Sequence, residues 1–295
     1  MTWELTGVPY TSMATPGGIA EAISTLRWRG LATRLEALGV VDAGDLSLPG
    51  PSGERGPSGL LNEDALSVLV EAACLRVEGA LERERLPLLV GADCPVLLGP
   101  LLALGRRKGT PGLVMIDGHE DAWPPRRSPT GEASDSEVTI ALGRVADLSK
   151  PLAAAGPLLE PSGLALVGPR DTDEIASGGI TSLREEIAFF ASAEQVKPTT
   201  EGAGSGMSAA LEALEADGFW LHIDLDALAT EIFPAVDYPQ PGGLDWSQLD
   251  ALASTVLADP RCRGASVVIY NPDLDPDRSA ADAVVDFVCR LVSTG

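Results

Sequence analysis

The feature that most constrains this chain is a series of five short, β-rich apolar runs at 86–91, 112–117, 164–168, 219–224 and 265–271, each closing on Gly, Asp or Asn. Between them lie stretches with apolar residues at helical spacing. The stretch 18–39 carries Ile19, Ile23, Leu26, Leu31 and Leu35, and 62–84 opens on Asn62 and sets Leu66, Leu69, Val70, Ala73 and Cys74 on one side. The stretches 98–104, 181–191, 206–216 and 246–258 read the same way. Strands alternating with helices predict βα units, a mainly parallel sheet and helices on both of its faces. In such a sheet ligands sit beyond the carboxyl ends of the strands. The Gly/Pro/Ser-rich stretches 49–60 and 124–136 read as loops. Neither resembles an interdomain linker, and no internal repeat is visible, so one domain over 1–295 is expected.

Charge narrows the partners. The chain holds 43 Asp and Glu against 21 Lys and Arg, a formal charge of −22. Nucleic-acid phosphates and anionic membrane surfaces would repel it. The expected partner is a small-molecule substrate, with homo-oligomers left open. Hydrophobic residues make up 45 %, enough for a sizeable core. The four cysteines, Cys74, Cys94, Cys262 and Cys289, form no C-x-x-C pair and predict reduced thiols in a cytoplasmic protein. No basic patch followed by an apolar core marks a secretory signal near the N-terminus. The long apolar run 86–105 has Asp93 at its middle and three prolines, which fits a buried strand, loop and helix better than a membrane span.

Two acidic clusters carry chemistry. MIDGHED at 115–121 sets Asp117, His119 and Asp121 at alternate positions just past an apolar run, and HIDLD at 222–226 repeats the arrangement with Asp224 and Asp226. On extended chain, alternate residues point the same way, so these groups can converge. A carboxylate has two oxygens and can bridge two cations. Five hard ligands with a single histidine among them suit two divalent ions such as Mn²⁺, which can share a hydroxide nucleophile. His222 is read as a catalytic, pocket-lining or supporting residue rather than a ligand. Each motif alone also fits a solvated acidic loop.

Taken together the motifs resemble the arginase/agmatinase (ureohydrolase) superfamily. GADCP at 91–95, DGHED at 117–121, VGPRDTD at 167–173, DLDALAT at 224–230, PGGL at 241–244 and IYNPDLDPD at 269–277 stand where that family has GGDHS, DAHxD, VGxRDxD, DxDxxDP, PGGL and E-x-N-P, and VVDAGD at 40–45 also fits. The resemblance runs in family order across nearly the whole chain. It implies a three-layer α/β/α fold on a mainly parallel sheet of about eight strands, and a binuclear manganese centre. By position, Asp117 and Asp224 would bridge the ions, residue 94 and Asp121 would complete one sphere, and His119 and Asp226 the other. The implied reaction is hydrolysis of a C–N bond in a guanidine, amidine or related compound by a metal-bridging hydroxide, with Asp121 passing a proton to the leaving amine.

The chain departs from the family pattern at four places. Cys94 replaces a histidine ligand; it is either a thiolate ligand, softer and inclined to Zn²⁺ or Fe²⁺, or a buried inert thiol. Ile269 replaces the glutamate that grips the guanidinium, which makes arginine and agmatine poor candidates. Ser134 replaces a histidine proton shuttle, while Glu132 nearby is either a substitute catalytic or substrate contact or a solvated loop acid. Ala229-Thr230 replaces a structural Asp-Pro. Tyr238 falls near the substrate position and would reshape the pocket, unless it is a surface aromatic. Of the acids in RDTD, Asp171 is expected to pair with Arg170 or a loop amide, and Asp173 to contact substrate. The expected function is therefore a metal-dependent hydrolase of a small guanidino, amidino or formimino compound other than arginine. The competing reading is a catalytically silent protein that binds a metal or small ligand for regulation.

Overall fold

A computed structural model describes residues 2–154, 156–196 and 200–294. Eight strands form one sheet: β1 (Thr2–Gly7), β2 (Val41–Asp45), β3 (Arg85–Val90), β4 (Pro111–Ile116), β5 (Leu164–Gly168), β6 (Phe189–Ser192), β7 (Gly218–Asp224) and β8 (Cys262–Val268). Their order across the sheet is β2-β1-β3-β8-β7-β4-β5-β6. Every pairing is parallel. The central strands are buried on both faces, which is why 113–116 and 219–223 read as continuous apolar runs rather than alternating ones.

Helices Glu63–Glu82 and Leu98–Gly105 pack against each other and on β3, β4 and β7. A second group, Ala22–Trp28, Trp246–Leu257 and Ser279–Thr294, packs together, with Trp246–Leu257 also on β7. The result is the three-layer α/β/α arrangement on an eight-stranded parallel sheet that the sequence implies. Among the described residues no helix is long and apolar enough to cross a membrane.

The element boundaries differ from the sequence reading in instructive places. The expected single helix over 18–39 is a 3-10 turn followed by two short helices, broken at Gly30, whose φ of +91° is left-handed. The stretch 181–191 is not a helix: it holds a 3-10 turn, Leu183–Glu185, and the start of edge strand β6. The final run, expected at 265–271, begins at Cys262 and ends at Val268, because Ile269 turns out of the strand at a φ of +72°. Strand β1 and helix Ser279–Thr294 were missing from the pattern altogether.

Candidate metal centre

Three strand ends, those of β3, β4 and β7, meet at one place, the carboxyl edge of the sheet's middle. After β3, Gly91 takes a φ of +86° with the Val8 carbonyl and Ile23 packed where a Cβ would lie. Asp93 then folds the turn by accepting hydrogen bonds from Ser12 N (2.8 Å), Ser12 Oγ (2.5 Å) and Cys94 N (3.0 Å). That turn delivers Cys94, 2 % exposed, to the strand edge. After β4, Asp117 Oδ1 accepts from His119 N (2.8 Å), and Gly118 N donates to Asp226 Oδ1 (3.0 Å). Gly118 is required: a Cβ there would stand 2.6 Å from Arg170 Nη1 and 2.7 Å from Asp226 Oδ1. At the end of β7, Asp224 Oδ1 accepts from Asp226 N (2.6 Å).

These turns bring all six predicted ligand residues into one cluster. Among the predicted site residues, three sets of side chains have metal-competent atoms within 4.8 Å of one another: Asp117, His119 and Asp121; Asp117, Asp224 and Asp226; and Cys94, Asp117 and His222. Cys94 Sγ also donates to Asp224 Oδ2 at 2.7 Å, and His119 Nδ1 pairs with Asp226 Oδ2 at 2.9 Å. Asp117 Oδ2 is buried and has no hydrogen-bond partner.

Electrostatics show a cluster short of positive charge. Burial first, then neighbouring carboxylates, pushes Asp117, Asp121 and Asp224 well above the usual carboxylate range. Burial, with Asp224 beside it, likewise pushes the Cys94 thiol well up. His119 is the local cation: burial opposes its charge, but Asp226 and then Asp117 and Asp171 raise it to about 10. Asp226 in turn lies below its ordinary value because His119 and Arg170 outweigh the effect of burial. A donor set of carboxylate oxygens, one imidazole and one thiol, with a buried oxygen left unpaired, fits divalent cations of the Mn²⁺ kind.

A cavity of about 420 Å³ opens above the cluster. Cys94, His119, Asp121, Asp224 and Asp226 form part of its lining, together with Glu132, Ser134, Tyr238 and Ile269. Glu132 is 8 % exposed, not a solvated loop acid, and its Oε2 accepts from the Tyr238 hydroxyl at 3.2 Å. Burial, then Asp93 and Asp135, raises Glu132 to about 7. Further acids, Asp93, Asp135, Glu174 and Asp237, line the same cavity, whereas no Lys or Arg of the described residues does.

Two predicted site residues stand elsewhere. Asp173 is exposed and does not line the cavity; Asp171 and Glu174 on either side of it do. Asp173 lies on the first turn of helix Thr172–Ser177, where side chains fan outward, while Asp171 precedes that turn and accepts from the Glu120 amide at 3.1 Å. His222, proposed as catalytic, is fully buried on β7 and does not line the cavity. Its Nδ1 lies 2.7 Å from Ser266 Oγ, which accepts from Trp220 Nε1 at 2.9 Å. Ser266 is thus free to donate to Nδ1, which leaves the proton on Nε2. Burial lowers His222 to about 3, so it stays neutral and backs Cys94 and Asp117 from behind.

Sequence reasoning missed one acid at the centre. Glu137, the first residue of the short helix Glu137–Ala141, is fully buried and has a carboxylate oxygen within 4.8 Å of both Cys94 Sγ and an Asp121 oxygen. Its only sequence context is a charged residue before the apolar run 138–142, which looks like an ordinary helix start.

Comparison with known proteins agrees with this fold. A profile of the arginase family matches residues 5–293. An arginase from Bacillus caldovelox is 27 % identical over 97 % of this chain and 96 % of its own. The structure of arginase from that organism superposes with a TM-score of 0.82 at 24 % identity, covering 99 % of this chain and 98 % of the other. A formimidoylglutamase from Bacillus subtilis shares the fold at a TM-score of 0.74 and 16 % identity, over 100 % of this chain and 87 % of the other.

Proposed function

The chain belongs to the arginase family of hydrolases, and from that premise we propose that it hydrolyses a C–N bond of a small guanidino or amidino compound whose far end is cationic or neutral rather than acidic. The observation that carries this reading is the make-up of one cavity: a floor of metal-competent groups, a wall of additional carboxylates, and no lysine or arginine in its lining among the described residues. Two divalent ions, Mn²⁺ by family analogy, would be held by Asp117 and Asp224 in common, by Cys94 and Asp121 on one side, and by His119 and Asp226 on the other. When bound, they supply electrophilic stabilisation and a water acidic enough to attack at neutral pH.

The chain's own residues do the rest. Asp121 lines the cavity at the cluster and is placed to carry a proton to the leaving amine. Ser134 has no titratable proton to offer near neutrality, so it does not replace a histidine shuttle. Glu132, raised to about 7 and tied to Tyr238, presents a carboxylate to the cationic part of the substrate. Ile269, 7 % exposed, lines the cavity with an apolar side chain and cannot pair with a guanidinium. A substrate carboxylate at the far end would face Glu132, Asp135, Glu174 and Asp237 with no Lys or Arg of the described residues in the lining, and like charges in one cavity disfavour binding.

The test is a panel of guanidino and amidino compounds that share the reacting group and differ at the far end. With Mn²⁺-loaded protein, urea or amine release is expected from members ending in an amine or a neutral group. Substantial urea release from arginine, or preference for carboxylate-bearing members, refutes the assignment. A protein that binds metal but turns over no member of any class favours the silent, ligand-binding reading instead.

A further inference from the structure

We propose that Glu137 is a further ligand of the ion held by Cys94 and Asp121. The assignment rests on the reading of the cluster as a metal centre and adds to it a residue that no motif assigns. Glu137 is 0 % exposed, and both of its carboxylate oxygens are buried without a hydrogen-bond partner. Its carboxylate, Cys94 Sγ and an Asp121 oxygen all lie within 4.8 Å of one another. The approach is fixed by backbone: Val138 N donates to the Asp121 carbonyl at 3.2 Å, which ties the start of helix Glu137–Ala141 to the residue it faces.

Physical chemistry leaves few partners for such a group. A buried carboxylate with no donor is costly, and a second carboxylate beside it makes it costlier. A divalent cation between Glu137, Asp121 and Cys94 satisfies all three at once. It also accounts for how a thiol can stand at this position. Replacing imidazole by a thiol makes a site softer; adding a carboxylate restores a hard donor and keeps the position competent for Mn²⁺. The alternative is a proton shared between Asp121 and Glu137, with no part in metal binding.

The experiment uses metal-stripped full-length protein, Glu137→Gln and Glu137→Asp, with Mn²⁺ titrated by calorimetry and melting temperature measured with and without metal. Co²⁺ loading adds a spectrum: a thiolate-to-cobalt charge-transfer band reports on the ion at Cys94. The wild type is expected to take up two ions. Glu137→Gln is expected to keep one at unchanged affinity, weaken the other at least tenfold, and weaken the Co²⁺–thiolate band in parallel. Its metal-free melting temperature should equal or exceed the wild type's, because the amide is neutral without having to take up a proton on folding. Glu137→Asp keeps the charge but loses reach, and should show the same selective weakening if the Gln variant folds poorly. Two ions at unchanged affinity in both variants overturn the Glu137 assignment alone. A lowered metal-free melting temperature with unchanged affinity identifies the shared-proton pair. No ion bound by the wild type overturns the metal-centre reading and this inference together.

Discussion

Raising the pH from 6.5 to 8.5 should destabilise the metal-free protein and enlarge the stabilisation that Mn²⁺ provides. His119 sets the scale. Its ordinary value is 6.5 and the fold holds it at about 10, despite burial, chiefly through Asp226. The folded protein therefore keeps a proton that the unfolded chain releases. The stability from this pair is complete below pH 6.5 and is lost as pH climbs toward 10. One proton of difference is worth about 1.4 kcal/mol per pH unit; the unfolded imidazole is still half protonated at pH 6.5, so the two units remove about 2.3 kcal/mol. Asp117, Asp121, Asp224 and Glu137, all raised by burial, act with the same sign wherever the pH lies below their raised values. His222, lowered to about 3 by burial, is neutral in the fold throughout; its unfolded counterpart loses its last half-proton above pH 6.5, which opposes the slope by only about 0.4 kcal/mol.

For 295 residues the unfolding entropy is roughly 0.6 kcal/mol per kelvin, so His119 alone corresponds to a fall of about 4 °C in melting temperature. Metal reverses the balance. Ligands bind deprotonated, so uptake of Mn²⁺ releases those protons and strengthens with pH. At a hundredfold excess over the dissociation constant, binding adds about 2.7 kcal/mol, comparable to the loss. Circular-dichroism melts at pH 6.5, 7.5 and 8.5, with chelator and with Mn²⁺, measure both slopes. A metal-free melting temperature that is flat or rises over this window refutes the reasoning, and so does an Mn²⁺ shift that shrinks with pH.

Two substitutions probe the site's walls. Glu132→Gln is expected to raise KM for a cationic substrate about tenfold, the value of one charged contact of about 1.4 kcal/mol, with kcat changed far less; steady-state kinetics decides, and an unchanged KM removes Glu132 from substrate binding. Gly168→Ala should cost about 2 kcal/mol or more in urea unfolding, because Gly168 has a φ of +112° and a Cβ there would lie 2.5 Å from the Asp117 carbonyl.

The central strands and both acidic clusters were legible because buried parallel strands and strand-end carboxylates leave local signals. Asp117, His119 and Asp121 are two residues apart, and so are Asp224 and Asp226, so a period of two finds them. Edge strand β6 was lost because its four residues are only partly buried and too few to show a period. Asp171 holds a loop amide, as its position suggested, while Asp173 is carried away from the cavity by a turn that no motif shows, the entry into helix Thr172–Ser177. Glu137 could not be found locally, since its partners Cys94 and Asp121 are brought to it only by the assembled sheet and the loop after β4.

The departures from the family pattern gather on one side of the centre and leave the backbone path intact. Asp117, His119, Asp121, Asp224 and Asp226 match the pattern, whereas Cys94, Ser134 and Ile269 do not. Ile269 shows what this means. A β-branched residue at a φ of +72° is strained by about 1–3 kcal/mol, and Ala92, facing it, has a φ of +75°. The two are joined by a hydrogen bond from Ile269 N to the Ala92 carbonyl at 3.1 Å. Asn or Gly would relieve the strain at 269, yet the chain holds a stiff apolar side chain there. The strained path thus belongs to the joined loops after β3 and β8, which bring Cys94 and residue 269 to the cavity whatever side chains they bear. What differs from the pattern at 269 is charge, and at 94 the type of donor atom. The same backbone can therefore present a different cavity wall, while Asp117, His119, Asp121, Asp224 and Asp226 keep the family's pattern.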